Sequence, residues 1–473
     1  MEQEQTRVER DESFRDSIAT VDKQGKRIWI YPKKPSGRFY RWRTWLSYFF
    51  LALLFSAPLI QVNGGPLVLF DVLGRRFVLF GQTFWPQDIH LFVLLFITGI
   101  VFIALFTVAF GRIFCGWICP QTIFMEMVFR KIEYAIEGDW KQQRALDRAE
   151  WNAEKIGKKT AKHAIFFAIA FVIGNVFLAY LIGSERLFGI ITGPFEEHAG
   201  GFLAMVGFSL VFYGVFAFMR EQVCTTVCPY GRLQGVLLDR HSVVIAYDHE
   251  RGEARGKFRK NEERSAVGKG DCIDCGQCVH VCPTGIDIRN GTQLECINCT
   301  ACIDACDHMM DSVGLPKGLI RYASESEISD KRPFRFTVRM KAYSAVLVVL
   351  ISVMVGLFAV RSDVEATLLR TPGVLYQERD EAHISNMYNY KLVNKTNDEM
   401  PIEFRTLRPT GQVELIGKSI LLGSADLSEG ELFIVLDRKD LEGMKTEVVV
   451  GVFSGDRLIE ELSTSFVGPM PGK

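Results

Sequence analysis

Two cysteine-rich stretches decide how this sequence is interpreted: residues 272–283 read CIDCGQCVHVCP, and residues 296–306 read CINCTACIDAC. In each stretch three cysteines follow at intervals of three residues, and a fourth comes four residues later. Three closely spaced thiolates can wrap one four-iron cluster, while the fourth cysteine of the stretch reaches a second cluster. The spacing therefore predicts two [4Fe–4S] clusters with crossed ligand sets. One set is Cys272, Cys275, Cys278 and Cys306, and the other is Cys282, Cys296, Cys299 and Cys302.

Zinc sites and disulfides are the alternatives for these eight cysteines. Zinc sites commonly combine paired C-x-x-C knuckles across a longer gap, and disulfides are rare in a reducing cytosol. The two stretches begin 24 residues apart, at positions 272 and 296, and this segment resembles the bacterial two-cluster ferredoxins. It departs from that family at Asp307, which follows the last cysteine where a proline is usual. This departure removes no cluster ligand, so the segment is still predicted to form a ferredoxin-like α+β domain.

Long apolar runs occupy much of the remaining 473-residue chain. Five of them lack Lys, Arg, Asp and Glu, and each is close to the ~20 residues with which a helix crosses a bilayer. The runs are residues 45–62, 89–110, 164–182, 201–218 and 343–360. A soluble protein with long core helices is the alternative, but buried helices of this length rarely exclude every charge. The runs therefore predict a multi-domain membrane protein with a bundle of five transmembrane helices.

Lys and Arg residues are unevenly distributed between the runs. Residues 1–44, 111–163 and 219–342 carry eleven, ten and eighteen of them, whereas residues 62–88 and 183–200 carry two and one. Because cytoplasmic loops are enriched in these residues, the N-terminus and both cysteine-rich stretches are predicted to be cytoplasmic. The N-terminal segment lacks the apolar core of a signal peptide, so the first run is expected to stay as an anchor. The predicted location is a bacterial inner membrane, with the C-terminal segment in the periplasm.

The remaining four cysteines form a repeated motif, here called the cysteine quartet. Cys115 and Cys119 lie in C-G-W-I-C-P after the second run, and Cys224 and Cys228 lie in C-T-T-V-C-P after the fourth. The two copies are offset by 109 residues, and both are predicted just past the cytoplasmic end of a span. Cysteines four residues apart share one face of a helix. The proline that follows each pair is expected to kink or restart that helix.

The chemistry of the quartet stays open from spacing alone. It could hold a third cluster or a copper ion, or cycle between dithiol and disulfide forms. Two structural thiol pairs that only pack are the remaining alternative. Thiolates favour Cu(I), but this preference does not distinguish copper from an iron–sulfur cluster here. Trp117, inside the first motif, is predicted to be an aromatic-belt residue at the membrane interface.

Other common cofactors and partners are not expected. No apolar run has a histidine deep within it, and no C-x-x-C-H occurs, so no haem is predicted. Neither the dinucleotide fingerprint nor the phosphate-loop motif is present, so no flavin or NAD is predicted either. A net charge of zero gives no reason to expect nucleic acid as a partner.

Beyond the fifth run the apolar residues recur with a period of two, which is typical of β-strands. The candidate strands are residues 373–377, 384–393, 402–406, 412–415, 431–435, 447–453 and 458–466. Short strands in this number predict an all-β immunoglobulin-like sandwich. The segment has no cysteine, so we expect a docking module or a structural cap.

These predictions divide the chain into five parts. They are a basic arm (1–44), four helices with both motifs and a helical loop (45–240), a ferredoxin domain (241–338), a fifth helix (339–361) and the sandwich (362–473). Within the arm, residues 23–43 are interpreted as a solvated segment that faces the membrane. In the outer loop, residues 67–70 and 77–80 are predicted to form a small hairpin.

The layout as a whole resembles the CcoG/FixG/RdxA family, accessory proteins of cbb3-type cytochrome c oxidase. The resemblance rests on the basic arm, the two C-x-x-x-C-P motifs, the ferredoxin insert, and the sandwich with YNYKLVNKT at residues 388–396. It implies reduction of Cu(II) to Cu(I) for assembly of the oxidase, with the quartet as the catalytic and metal site. The implied partners are oxidase assembly factors, copper chaperones or a copper transporter, and an electron donor that the sequence does not identify.

Two other functions are compatible with the same motifs. The C-x-x-x-C-P pairs also occur in membrane polyferredoxins such as the quinol-linked subunits of periplasmic nitrate reductase, which carry electrons without copper. A non-redox scaffold that recruits assembly factors is a third hypothesis, and there the clusters would be structural. The predicted outer sandwich favours an assembly role over a plain relay subunit.

Overall fold

The computed structural model describes residues 19–22, 24–62, 65–72, 74–260, 262–373 and 375–469. The chain forms two compact units. The first comprises Met1–Ser56, Phe96–Leu178 and Glu185–Ile351, and the second comprises Ala57–Leu95, Ala179–Ser184 and Ser352–Lys473. Residues 1–18 of the predicted arm and Val374 of one predicted strand lie outside the described residues.

Four helices among the described residues are long and apolar enough to cross a membrane. They are Pro86–Phe110, Ala153–Ile182, Phe195–Met219 and Val338–Ala359. They contain the second to fifth predicted runs almost completely. The helix that contains the third run begins at Ala153 instead of residue 164, because the charged stretch before that run continues the same helix.

The first apolar run folds differently from its prediction. Its helix is Arg38–Ser56, which begins inside the basic arm and carries three arginines in its first turns. The helix ends shortly before Pro58, since proline lacks a backbone N–H and restricts the residue before it. Gln61–Val62, predicted to be helical, instead forms a strand that pairs with Gly65–Pro66. The described helix is therefore not among the four long apolar ones.

The other helices are short and mostly flank the cysteines. The α-helices are Ile113–Trp117, Pro120–Ile123, Arg130–Ile136, Trp140–Arg148, Ser184–Thr192, Pro229–Leu237, His249–Gly252, Gln277–His280, Ala301–Val313 and Glu325–Ser329. Three π-helical segments are Phe124–Phe129, Val215–Met219 and Val223–Val227. The 3-10 turns are Pro86–Asp88, Ser265–Val267, Ile288–Asn290 and Arg438–Asp440. In the predicted helical loop, Asp139 caps Trp140–Arg148 by accepting from the backbone N–H of Trp140.

The eight-cysteine segment folds as a small α+β arrangement within the first unit. Strands Val244–Tyr247 and Ile320–Ala323 pair in antiparallel register, with Val244 opposite Ala323. Helices Gln277–His280 and Ala301–Val313 each follow one cysteine-rich loop. A core of buried isoleucines and leucines packs around the cysteines. The loops are therefore held by strands and helices that lie far apart in the sequence.

The second unit contains the predicted sandwich. One sheet has five strands, Gln412–Leu415, Leu427–Asp437, His383–Asn394, Val364–Arg370 and Gln377–Glu378, and the other has four, Ile420–Leu422, Met400–Arg408, Lys445–Ser454 and Arg457–Val467. Alternate residues of both sheets enter one core, as in Leu432 and Ile434 from the first and Val448 and Val450 from the second. This alternation is the period of two read from the sequence.

The predicted β-sandwich is present, but two of its strands were not predicted. Val364–Arg370 and Ile420–Leu422 were not predicted. Among the described residues of the predicted strand 373–377, only the last one is in a strand, Gln377–Glu378. The outer-loop hairpin has a third strand, so that Val68–Asp71, Arg76–Leu79 and Gln82–Phe84 form one sheet.

A buried ion-pair network lies within the second unit. The ammonium of Lys395 donates to Asp88 at 2.7 Å and lies 2.9 Å from the carboxylate of Glu365. Arg361 donates to the other oxygen of Asp88 at 2.8 Å. The side chains of Lys395 and Asp88 are only 6% and 3% exposed, so each depends on the other for compensation of its charge.

Candidate metal centres

The two cysteine-rich stretches fold as two copies of one loop. Asp274 and Asn298 have φ angles of 52° and 53°, and Gly276 and Thr300 both have φ of 66°. Each pair is separated by 24 residues, so the backbone repeats the spacing of the sequence. Left-handed residues turn the chain sharply, and here they curl each loop around a cavity. Thr300 is β-branched and uncommon in this conformation, and its hydroxyl donates to the carbonyl of Cys299 at 2.6 Å.

Each loop surrounds a cavity lined mainly by thiols and apolar side chains, with Arg289 also lining the first cavity and Thr284 the second. The first cavity, of about 340 Å³, is lined by the predicted set Cys272, Cys275, Cys278 and Cys306. The second, of about 330 Å³, is lined by the predicted set Cys282, Cys296, Cys299 and Cys302, and also by Cys278. Three cysteines of one stretch thus share a cavity with the fourth cysteine of the other.

The spacing of the thiols differs from that of a single-ion site. Among the described residues, no three or more His, Cys, Asp or Glu side chains converge on one point that a metal ion could occupy. A zinc site would need four ligands within about 2.3 Å of one ion. All twelve cysteines are free thiols. Four free thiols around one cavity fit the ligand set of a four-iron cluster better than zinc or disulfides.

Burial dominates the electrostatics of these thiols. It raises the pKa of Cys278, Cys296 and Cys306 to about 12 and that of Cys299 to about 11. The pKa of Cys302 is likewise raised well above its usual value, by the same burial and by the neighbouring thiols. Such groups become thiolates only when a cation stabilises the charge, and bound iron does this directly. The donor set therefore fits the [4Fe–4S] group.

Asp307, which departs from the ferredoxin pattern, has a defined role. Its carboxylate accepts a hydrogen bond from the backbone N–H of Gly318 at 2.9 Å. Gly318 has a φ of 81° and comes just before the strand Ile320–Ala323. The aspartate therefore ties the helix that carries Cys306 to the start of that strand, where a proline could not accept through a side chain.

The quartet cysteines occupy the junctions between short helices. Cys115 lies in Ile113–Trp117, while Cys119 is the N-cap residue of Pro120–Ile123. Cys224 lies in the π-helical turn Val223–Val227, while Cys228 is the N-cap residue of Pro229–Leu237. The two cysteines of each pair therefore do not share the face of one continuous helix. The prediction that proline restarts the helix is confirmed, because each proline is the first residue of a new helix.

The four quartet thiols lie close enough to act on one another electrostatically. Burial and, to a smaller extent, the charges of the other three quartet thiols together raise the pKa of Cys224 to about 12. The buried amide of Gln234 contacts the sulfur of Cys115 at 3.5 Å. Sequence reasoning missed Gln234. The signal available was its position six residues after Cys228, on the helix that the motif's proline begins.

The first quartet motif is in direct contact with the loop of the second cavity. Gly116 faces this loop, and a Cβ atom there would lie 2.9 Å from the carbonyl oxygen of Asn298 and closer still to that of Ile297. The indole N–H of Trp117 donates to the carbonyl of Asn298 at 3.2 Å. Cys115, Ile297 and Cys299 share one buried cluster. Trp117 therefore bridges the two cysteine sites, and its role as an aromatic-belt residue stays a prediction.

Arg43 lies at the same junction and was not singled out from the sequence. Its Nε donates to the carbonyl of Gly116 at 2.6 Å. The side chain is buried, and its charge acts on the thiol of Cys299. One terminal nitrogen of the guanidinium has no hydrogen-bond partner among the described residues. A buried cation thus lies between the quartet motif and a thiol of the second cavity.

The described part of the basic arm packs against the ferredoxin segment. The backbone N–H of Lys33 donates to the carbonyl of His280 at 2.7 Å. The backbone N–H groups of Phe39 and Tyr40 donate to the two oxygens of Asp304 at 3.1 and 2.8 Å. Asp304 lies between Cys302 and Cys306 on their helix. The interpretation of the arm as purely solvated was therefore wrong for these residues.

Known proteins share this arrangement of domains. A family described as "4Fe-4S dicluster domain" matches residues 219–325, and one described as "4Fe-4S binding domain" matches residues 89–137. A third, described as "IG-like fold at C-terminal of FixG", matches residues 354–469. Protein RdxA of Cereibacter sphaeroides is 36% identical over 389 residues, which cover 78% of this chain and 80% of RdxA. The chain belongs to the CcoG/FixG/RdxA family.

Other members and one solved structure extend the comparison. Protein RdxB of Cereibacter sphaeroides is 35% identical over 79% of this chain and 80% of its own. Nitrogen fixation protein FixG of Rhizobium meliloti is 37% identical over 64% of this chain and 58% of its own. The crystal structure of a FixG-related protein from Vibrio parahaemolyticus aligns with 23% of this chain and all of its own, at 16% identity and a TM-score of 0.19.

The family match and the geometry together identify the general chemistry. The chain is an iron–sulfur electron-transfer protein of the FixG/RdxA family with helices suited to a membrane. The "4Fe-4S binding domain" match, over residues 89–137, includes Cys115 and Cys119 of the first quartet motif.

Proposed function

We propose that this protein reduces Cu(II) to Cu(I) for assembly of the copper centre of cbb3-type cytochrome c oxidase. The observation that supports this most directly is the contact between the first quartet motif and the loop of the second ferredoxin cavity, through Gly116 and Trp117. In the reaction one electron leaves the protein's iron–sulfur set, and Cu(II) gains it to become Cu(I). The Cu(I) formed suits thiolate and thioether carriers.

The proposed ligand sets are the two that line the cavities. Cys272, Cys275, Cys278 and Cys306 would hold one [4Fe–4S] cluster, and Cys282, Cys296, Cys299 and Cys302 would hold the other. When bound, such clusters supply one-electron transfer at potentials that can lie well below that of copper. The apolar walls exclude water from the thiolates, and the curled loops hold the sulfur atoms in place.

The quartet is the proposed place of copper reduction. Cys115, Cys119, Cys224 and Cys228 are either the ligands of a third cluster beside which Cu(II) is reduced, or the copper site itself. The "4Fe-4S binding domain" match, which includes the first quartet motif, supports the third cluster. Arg43 and Gln234 would position the segment around Cys115, since both contact it from buried positions.

The proposed setting is the bacterial inner membrane. The Lys/Arg distribution supports a cytoplasmic N-terminus, cytoplasmic ferredoxin segment and periplasmic sandwich. We propose that helix Arg38–Ser56 is a fifth, short span beside the four long helices. Proposed partners are oxidase assembly factors, a copper chaperone or transporter, and an electron donor of unknown identity.

A copper-reduction assay on the purified chain tests the proposal. The protein is reduced chemically, freed of excess reductant and mixed with Cu(II), and Cu(I) is recorded with a chromogenic chelator. Iron and acid-labile sulfide are counted in the same samples. We expect about twelve irons in the native chain and about eight after all four quartet cysteines are replaced by serine, because the two ferredoxin clusters hold four irons each.

Loss of Cu(I) formation in the quadruple variant, with about eight irons retained, would support the quartet as the reduction site. Unchanged turnover in that variant would refute the site. A count of about eight irons in the native chain would mean that the quartet is a copper or dithiol site and not a third cluster. Oxidation of quinol by the protein in the absence of copper would favour the quinol-linked alternative.

A further inference from the structure

A cleft of about 890 Å³ opens in the first unit beside the beginning of helix Arg38–Ser56. Its second wall is helix Arg130–Ile136. Six lining residues carry the argument: the cations Lys34, Arg41 and Lys131, and the aromatic residues Tyr40, Trp45 and Tyr48. No carboxylate lines the cleft. It belongs to neither cysteine site.

The three cations of the cleft are not neutralised by the protein. None of them forms an ion pair with a carboxylate in the part of the chain that the structure describes. The ammonium of Lys131 instead lies over the rings of Tyr48 and Tyr40, at 5.0 and 5.7 Å. Most other buried or half-buried cations nearby have acidic partners, as in Arg130 with Glu126 at 2.9 Å. Three unpaired cations in one cleft point to an anion as the ligand.

An exposed apolar stripe continues from the cleft along the same helix. Trp45, Phe49 and Leu53 follow at intervals of four, so they lie on one helix face. Their side chains are 72%, 62% and 48% exposed. Trp45 belongs to both features, because it also lines the cleft. A cationic cleft that leads into an apolar stripe has the shape and polarity of a phospholipid, with its charged head and its hydrocarbon chains.

We propose that this cleft binds one anionic phospholipid. The phosphate group would lie among Lys34, Arg41 and Lys131, and the acyl chains would follow Trp45, Phe49 and Leu53. Basic pockets at the cytoplasmic ends of membrane helices recognise lipid head groups in this way, and Trp and Tyr anchor at the same depth. Tyr40 links the cleft to the ferredoxin segment, because its backbone N–H donates to Asp304. The lipid would therefore hold the arm and the cysteine helix at the membrane surface.

Native mass spectrometry of the detergent-purified full chain tests this site. The probes are phosphatidylglycerol, phosphatidylcholine and inorganic phosphate, each added at the same concentrations. The test variant is Arg41→Gln/Lys131→Gln. The matched control is Arg335→Gln/Lys341→Gln, which removes the same charge from exposed residues next to and within helix Val338–Ala359. Iron content reports whether each variant is folded, and Arg41→Lys/Lys131→Arg tests whether charge alone suffices.

We expect the native chain and the control to retain one phosphatidylglycerol, and the test variant to bind it at least about tenfold more weakly. The charge-conserving variant should bind like the native chain. Equal retention by the native chain and the test variant would overturn the proposal. Binding of phosphatidylcholine as tight as that of phosphatidylglycerol would overturn the role of head-group charge. Occupancy of the cleft by inorganic phosphate at the same concentrations would mean that the ligand is a free anion and not a lipid.

Discussion

The contact at Gly116 makes a sharp prediction for Gly116→Ala. An added Cβ would lie 2.9 Å from the carbonyl oxygen of Asn298 and closer still to that of Ile297, whereas ordinary Cβ contacts begin at 3.4 Å. The segment would have to move by at least about 0.5 Å, and the neighbours are backbone atoms that no side-chain rotation can remove. Overpacking of this kind costs about 1–3 kcal/mol. That free energy corresponds to an about 5- to 150-fold loss of the docked arrangement.

The assay compares Cu(I) formation by reduced Gly116→Ala with that of the native chain. We expect the rate to fall at least about fivefold, while the iron bound by the eight ferredoxin cysteines is unchanged. Gly157→Ala is the matched control, because Gly157 lies in helix Ala153–Ile182 and a Cβ there meets no atom within 4 Å. An undiminished rate in Gly116→Ala would refute the inference that this contact links the two cysteine sites. A rate loss of the same size in Gly157→Ala would refute it equally.

Two further substitutions test the buried charges. Arg43→Gln should lower the reduction potential of the cluster in the second cavity by tens of millivolts, because the lost cation no longer stabilises the more negative reduced state. A redox titration followed by EPR measures both potentials. An equal shift in the potentials of both clusters would contradict the prediction. Lys395→Met should destabilise the second unit by about 1.5–3 kcal/mol, because Asp88 keeps Arg361 but loses a charged hydrogen bond. Calorimetry should detect no change in the melting temperature of Lys439→Met, which serves as an exposed control. Equal melting temperatures of Lys395→Met and Lys439→Met would contradict the prediction.

Local sequence patterns predicted most of the helices and strands. The features that these patterns missed depend on tertiary contacts. The cysteine spacing predicted which thiols share a cavity because the loop repeats its backbone at an interval of 24 residues. The period of two predicted the longest strands of the sandwich. It missed Val364–Arg370 and also Ile420–Leu422, which is too short to show a period. The first apolar run was extended too far because hydrophobicity alone was read through Pro58. Arg43 and Gln234 were missed, since their roles arise from partners distant in the sequence, although the position of Gln234 six residues after Cys228 was a signal.

The repeat of the quartet motif is symmetric in its cysteines but not in its contacts. Gly116 and Trp117 of the first copy correspond to Thr225 and Thr226 of the second. The threonine hydroxyls donate to carbonyls of their own turn, at 3.4 Å to Glu221 and 2.5 Å to Gln222. The first copy instead reaches across to the cavity loop, with a glycine that permits close approach and an indole that donates a hydrogen bond.

This asymmetry assigns a direction to the proposed electron route. Exchange with the second ferredoxin cavity would pass on the side of Cys115, and the copy with Cys224 and Cys228 would complete the site from the other side. Replacing Trp117 by phenylalanine removes the hydrogen bond to Asn298 and keeps the ring, so it should slow Cu(I) formation. Replacing Thr226 by valine removes a hydroxyl that bonds within its own turn, so it should leave the rate nearly unchanged. If the two substitutions slowed the reaction equally, the two copies would be functionally equivalent and the inferred direction would be wrong.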